Sequence, residues 1–182
     1  AVHRVGVFLD AIVGGWTIGG LATDDLAPGI LPAPGGGSHR RTTWAGTPRG
    51  GRKLSAQSSV GGIVTHRDFN GRINTVGAAD TRFRLGKVWS AEGQWAASQR
   101  TAGTDERSRA GSAYLLSVAR TGRTVATATR LGGVSPAFVS GLGFVPRVDF
   151  HHATQSATYT ARPAAALNDW GPTLLLERFW AH

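Results

Sequence analysis

Ile73–Leu85 and Trp89–Gln99 alternate along their whole length, and that period of two most constrains the fold. Ile73, Thr75, Gly77, Ala79, Thr81, Phe83 and Leu85 oppose Asn74, Val76, Ala78, Asp80, Arg82 and Arg84. Trp89, Ala91, Gly93, Trp95 and Ala97 oppose Ser90, Glu92, Gln94 and Ser98, with only Ala96 out of line. Successive side chains of a strand point to opposite faces, so each stretch has one apolar and one polar face. A soluble sandwich and a membrane barrel both use such strands, with inside and outside exchanged.

Strand length separates the two. Residues 89–99 span roughly 36 Å extended. Tilted by about 40°, they cover roughly 28 Å, close to the ~25 Å apolar band of a membrane barrel. Soluble strands more often run about 5–6 residues. The small residues Gly77, Ala79, Gly93 and Ala97 would fill a soluble interior poorly, whereas against lipid they cost little. This favours Phe83, Trp89 and Trp95 facing lipid. Asp80, Arg82, Arg84, Glu92 and Gln94 then face a wet lumen.

Similar stretches recur at about 4–12, 16–23, 57–67, 111–121, 123–131, 147–160 and 172–180, with a weaker one at 42–47. Helical periodicity is hard to find; a turn at 161–168 would contain Pro163. Nine or ten strands far exceed the ~20–25% strand of an ordinary domain. The links at 13–15, 86–88 and 121–123 are tight, and 48–56 reads as a modest link. Those at 24–40, 100–111 and 132–146 are long, and that at 67–72 is middling. In order they run short, long, middling, middling, short, long, short, long. Up-and-down membrane barrels have this rhythm, with short turns at one rim and long loops at the other.

Composition narrows the classes further. Lys+Arg number 20 against 11 Asp+Glu, a formal charge of +9, and only Lys53 and Lys87 are lysines. A polyanion or an anionic lipid surface suits that balance. The absence of cysteine rules out disulfides and thiolate chemistry. No run of 18 apolar residues occurs, which excludes a membrane-spanning helix, and no signal-peptide core is found. With no methionine, even at position 1, we expect the chain to be a mature or truncated piece of something longer.

The stretches "SSVGGIVTHRDFNGRINTVGAADTRFRLGKVWSAEGQWAASQRT" (58–101) and "LGFVPRVDF" (142–150) bear a resemblance. They resemble the C-terminal β-barrel region of a bacterial outer-membrane family whose N-terminal domain is similar to family-nine carbohydrate-binding modules. "GGWTIGGLAT" (14–23) resembles that barrel's opening hairpin. The likeness covers most of 1–160, and Gly143, Phe144, Val145, Pro146, Arg147 and Asp149 are its most specific part. It implies an outer-membrane location and a barrel architecture, not a reaction, since the family's barrel is largely of unknown function. Its glycan link belongs to the N-terminal module, which is absent here. The chain departs from the pattern between 24 and 57, and stops at "LLLERFWAH" without a closing strand.

Motifs for chemistry are weak. "HRDFNGRIN" (66–74) invites a kinase catalytic-loop reading, but Ile73 holds the place that motif gives to Asn, and Asn74 comes one later. It reads as a polar loop, as does "GLGFVP" (141–146). His151 and His152 are adjacent, so on a strand they face apart and cannot chelate one metal together. With His66 they make a site only if the fold gathers them. Asp68, Asp80, Glu92, Asp105, Glu106, Asp149 and Glu177 could supply a glycosidase pair about 5–10 Å apart, though porin lumens ordinarily carry such carboxylates. Arg40–Lys53, with Trp44, suits a phosphate or lipopolysaccharide contact, but a nucleic-acid site would need stacking aromatics within a basic patch.

These readings lead to one all-β domain over 1–182. It is expected to be an antiparallel up-and-down meander of about 9–10 strands forming a partial outer-membrane barrel, with long loops on one rim and 24–57 an irregular loop holding one doubtful strand. The expected role is anchoring or transport, linked to glycan binding or uptake, at the bacterial outer membrane. One alternative is the barrel support of a carbohydrate-active enzyme; another is a soluble all-β binding domain. Catalytic residues, cofactors, metals and nucleic acid are not expected. Outer-membrane lipid is the expected partner, with glycans reached through the absent N-terminal domain.

Overall fold

The structure, a computed structural model, describes residues 3–25, 30–32, 38–40, 43–69, 72–101, 108–143, 145–162 and 169–181. Twelve strands are found among them: β1 (His3–Val13), β2 (Trp16–Asp25), β3 (Ile30–Pro32), β4 (Ser38–Arg40), β5 (Thr43–Ser55), β6 (Ser58–Phe69), β7 (Arg72–Leu85), β8 (Trp89–Thr101), β9 (Arg109–Thr121), β10 (Val125–Val134), β11 (Phe150–Tyr159) and β12 (Thr173–Trp180). Ten of them form one antiparallel meander in the order β1-β2-β5-β6-β7-β8-β9-β10-β11-β12. β3 and β4 pair separately. No described residue is helical. The turn at 161–168 falls mostly outside the described residues.

Local chemistry explains the turns. Gly14 and Gly15 both have positive φ, 57° and 82°, the pair of left-handed residues a two-residue hairpin turn of matching twist requires. Gly86 at φ 64° opens the turn into β8. Because every neighbour is antiparallel, the turns at 14–15, 56–57, 86–88 and 122–124 share one rim, hereafter the turn rim. The connections at 26–42, 70–71, 102–108 and 135–149 share the other, the loop rim. The expected rhythm is present but imperfect, since the long connection between β11 and β12 lies at the turn rim.

One stretch differs from the sequence reading. Residues 48–56 read as a link, yet β5 continues through them to Ser55. Pro48 aligns with Gly20 on β2, while the recorded β5–β6 pairs pass from Gly46↔His66 to Arg49↔Ile63. Proline lacks a ladder donor, and the β6 side tolerates that as a local break.

The sheet is a single layer and is not closed. β1 and β12 are its two edges, and neither pairs with the other. Val76 and Phe138 are the buried hydrophobic residues among those described. The accessible surface is 12635 Å² for 19.1 kDa, against roughly 8,400 Å² for a compact soluble chain of that mass. A lone sheet needs a second layer against its apolar face, and among the described residues it has none.

Candidate functional site

The β7–β8 ladder fixes which side chains share a face. Arg82 stands opposite Glu92, Asp80 opposite Gln94, Arg84 opposite Ser90 and Leu85 opposite Trp89. Asp80, Arg82, Arg84, Glu92 and Gln94 therefore lie on one surface, the polar face. Phe83, Trp89 and Trp95 lie on the other, the apolar face. Arg82 Nε is 2.9 Å from Glu92 Oε1, and both side chains are more than half exposed, at 67% and 51%. Arg84 donates through Nη2 to the Lys87 carbonyl at 2.8 Å, fixing the turn. The Asp80 carboxylate lies over Gly61, where an added Cβ would come within 3.0 Å of it.

Carried across all ten strands, the register sorts the whole sheet. Among the described residues, the charged side chains on the apolar face are Asp24, Arg52, Asp68, Arg120 and Arg178, none more than three residues from a strand end. The middle of that face holds Val64, Trp95 and Leu116 among small residues, with an uncharged Thr129–Gln155 hydrogen bond on β10–β11. Toward the turn rim stand Trp16, Trp89 and Tyr159. Toward the loop rim stand Trp44 and Trp180. The Arg52 guanidinium sits 5.4 Å from the Trp16 ring centre.

Trp95, Tyr114, Gly133, His151 and Trp180 are aligned in one cross-strand row, from the middle of β8 to the loop-rim end of β12. Tyr114 Oη and His151 Nδ1 meet at 3.0 Å over Gly133. A Cβ at Gly133 would come within 2.6 Å of that nitrogen, so glycine is what lets the two rings join. His151 then stacks on Trp180 with centroids 5.4 Å apart.

On the polar face, Arg49, Asp80 and Arg130 stand in mid-strand. A trough of about 520 Å³ runs over a floor of Gly19, Gly51 and Gly61, between Asp10, Arg49, Lys53 and Asp80. A second, of about 380 Å³, continues past Gln94 to Leu115. Toward the loop rim, residues 135–143 fold onto this face. Asn74 holds them twice, its Nδ2 donating to the Val139 carbonyl at 3.1 Å and its Oδ1 accepting from the Gly141 N–H at 2.6 Å. Ser98 Oγ accepts from the Val139 N–H at 3.1 Å, and Arg67 Nη1 donates to the Gly141 carbonyl at 3.2 Å. Gly111 leaves room for the Phe138 backbone, which would lie 2.3 Å from any Cβ there. Sequence reading missed this inward-folded loop. Its one signal was a set of uncharged or small residues (Asn74, Ser98, Gly111) on a face otherwise rich in arginine.

The remaining candidates are scattered. Gly143, Val145, Pro146, Arg147 and Asp149 lie in the β10–β11 connection at the loop rim, while Phe144 falls outside the described residues. Asp149 turns the chain into β11 with φ 63°, its N–H donating to the Val134 carbonyl at 2.9 Å. His152 lies on the face opposite His151, with Nε2 2.8 Å from Glu177 Oε1 and its ring stacked on Phe179. His66 sits by Trp44 on the apolar face, Nδ1 2.9 Å from Thr75 Oγ1. Among the described residues no three His, Asp or Glu side chains gather as a metal-ligand set. Of the carboxylates, Asp80, Glu92 and Glu177 share the polar face, Asp68 is on the apolar face, and Asp105 and Glu106 lie outside the described residues. Arg49 and Lys53 of the basic segment are on the polar face, whereas Trp44 and Arg52 are on the apolar one. No family model, curated protein or solved structure matches the chain.

Proposed function

We propose that the chain is a segment of a bacterial outer-membrane β-barrel, its apolar face toward lipid and its polar face toward a wet lumen, with an anchoring or solute-passing role. One observation carries this reading: charge on the apolar face is confined to strand ends, while the polar face bears charge in mid-strand. Water imposes no such rule on a strand, but a hydrocarbon band does, because an Arg or Lys costs about 2–4 kcal/mol at the midplane and little near the interfaces. The aromatic rows agree. Trp16 and the residue aligned with Trp44 are eight positions apart on β2, roughly 26 Å along the strand and about 20 Å after a ~40° tilt. Amphipathic rings favour that interfacial level. The inward-folded loop at 135–143 would narrow the lumen near one rim.

The test uses the natural lack of cysteine. Glu92→Cys and Trp95→Cys chains are reconstituted in vesicles and treated with a water-soluble maleimide. Position 92 should react and position 95 should be protected until detergent is added. The reverse would exchange the faces, and equal reactivity at both would favour a soluble β domain.

A further inference from the structure

The polar face is unevenly charged, and the excess is positive. Toward the loop rim it carries Arg67, Arg72, Arg100 and Arg109; in the middle and toward the turn rim it carries Arg49, Lys53, Arg82, Arg84 and Arg130. Against these nine cations stand Asp10, Asp80, Glu92 and Glu177, and Asp25, which the register aligns with Thr43 on the same face. The described residues of the polar face therefore hold an excess of four positive charges. The apolar face, with three cations and two anions, is close to balanced.

Placement sharpens the point. Arg67, Asn74, Arg100 and Arg109 are aligned, one on each of four adjacent strands, so Arg100 and Arg109 are direct cross-strand partners of like charge. The row brings guanidinium groups side by side to the loop rim, beside the folded-in loop that Arg67 and Asn74 hold. Deeper in, Arg49 borders both troughs, and Arg49 and Lys53 flank Gly51 on the same strand and face. Asp10 and Asp80 border the first trough together with Arg49 and Lys53, so the excess of positive charge lies chiefly in the arginine row at the loop rim.

We propose that the polar face is the wall of an anion-selective passage, its loop-rim arginine row forming the receiving end for small carboxylate- or phosphate-bearing solutes. The inference rests on reading the polar face as a wet lumen. Low-dielectric walls focus such a field, and a lined cleft raises the local concentration of oppositely charged solutes. Rings of Arg or Lys are how anion pores select.

Leu115 and Leu116 are neighbours on β9 that face opposite ways, Leu115 to the polar side with Gln94 and Leu116 to the apolar side with Gly93. Single-cysteine chains, Leu115→Cys and Leu116→Cys, in vesicles are treated with a sulfonate-bearing and a trimethylammonium-bearing methanethiosulfonate, each rate normalised to a free thiol. Ser117→Cys on the same face is a second reporter. At low salt, positions 115 and 117 should favour the anionic reagent by about tenfold. In ~1 M salt, where the screening length is about 3 Å, that preference should collapse toward one. Arg109→Glu with Arg130→Glu should lower it severalfold. A ratio at or below one at both positions, with 116 protected by lipid, would overturn the anion inference and leave the barrel reading standing. If 116 reacts as fast as 115 in vesicles, the barrel reading falls and takes this inference with it.

Discussion

Trp95 and Glu92 sit three residues apart on β8 and lie on opposite faces of the sheet. Trp95 is 54% exposed, with only Ala79 and Tyr114 directly beside it. In water that is an unsupported ring; against acyl chains it is an ordinary contact. We expect Trp95→Arg to weaken insertion by about 2–4 kcal/mol, read from urea titration of vesicle-bound chain, and Trp95→Leu to be tolerated. An arginine variant that inserts like the parent would show that position 95 never meets hydrocarbon. Glu92 is different, because its partner Arg82 is well solvated. An exposed pair contributes about 0–1 kcal/mol, so a double-mutant cycle with Glu92→Gln and Arg82→Gln should give a coupling below about 1 kcal/mol. A much larger coupling would mean that the polar face is dry. At this scale the sequence was readable: strict alternation assigned both residues to their faces, and the turn at 86–88 made them cross-strand neighbours of the right residues.

At the scale of elements, Ser135 still pairs with Ser112 through its backbone, but the segment 136–143 is held to the sheet by side chains. Asn74 supplies two of the four side-chain hydrogen bonds to 136–143 and is itself buried, at 8% exposure. Asn74→Ala leaves the Gly141 N–H and the Val139 carbonyl without these partners, at about 1–3 kcal/mol for a buried group left unsatisfied. That cost should fall on the loop alone, since β7 and β8 keep their full ladder. The expected result is faster amide exchange at Val139 and Gly141 with β7 and β8 amides unchanged; global loss of protection would mean that the loop props up the sheet. Neither this loop nor the second half of β5, beyond the weak candidate at 42–47, was legible in the sequence, for separable reasons. β5 contains Pro48, Gly50 and Gly51, residues that read as breakers, and it is a strand because β2 and β6 impose register from both sides. The loop's position depends on Asn74, Ser98 and Gly111 meeting residues some 30 to 65 positions away in sequence, which no local period encodes.

For the whole molecule, the unresolved tension is at the edges. β1 exposes Val7, Phe8, Leu9, Ile12 and Val13, and β12 exposes Leu174, Leu175, Leu176 and Phe179. These strands carry large apolar side chains on both faces, and each also presents a row of backbone groups with no neighbour strand. In water such edges invite association. In hydrocarbon each unsatisfied backbone group costs several kcal/mol, so bare edges are not tolerated. Ten antiparallel strands leave β1 and β12 running in opposite directions, the relation an antiparallel seam needs. Such a seam can form within one chain or between β12 of one copy and β1 of another. We therefore expect the alternate amides of β1 that point away from β2, and those of β12 that point away from β11, to exchange rapidly in detergent. The same amides should become protected on insertion into vesicles, while β7 and β8 amides are protected in both. Hydrogen exchange resolved by residue measures this directly. Edge amides that stay fast in an inserted chain would mean that the edges lie outside the hydrocarbon, and the apolar face alone would then be its membrane surface.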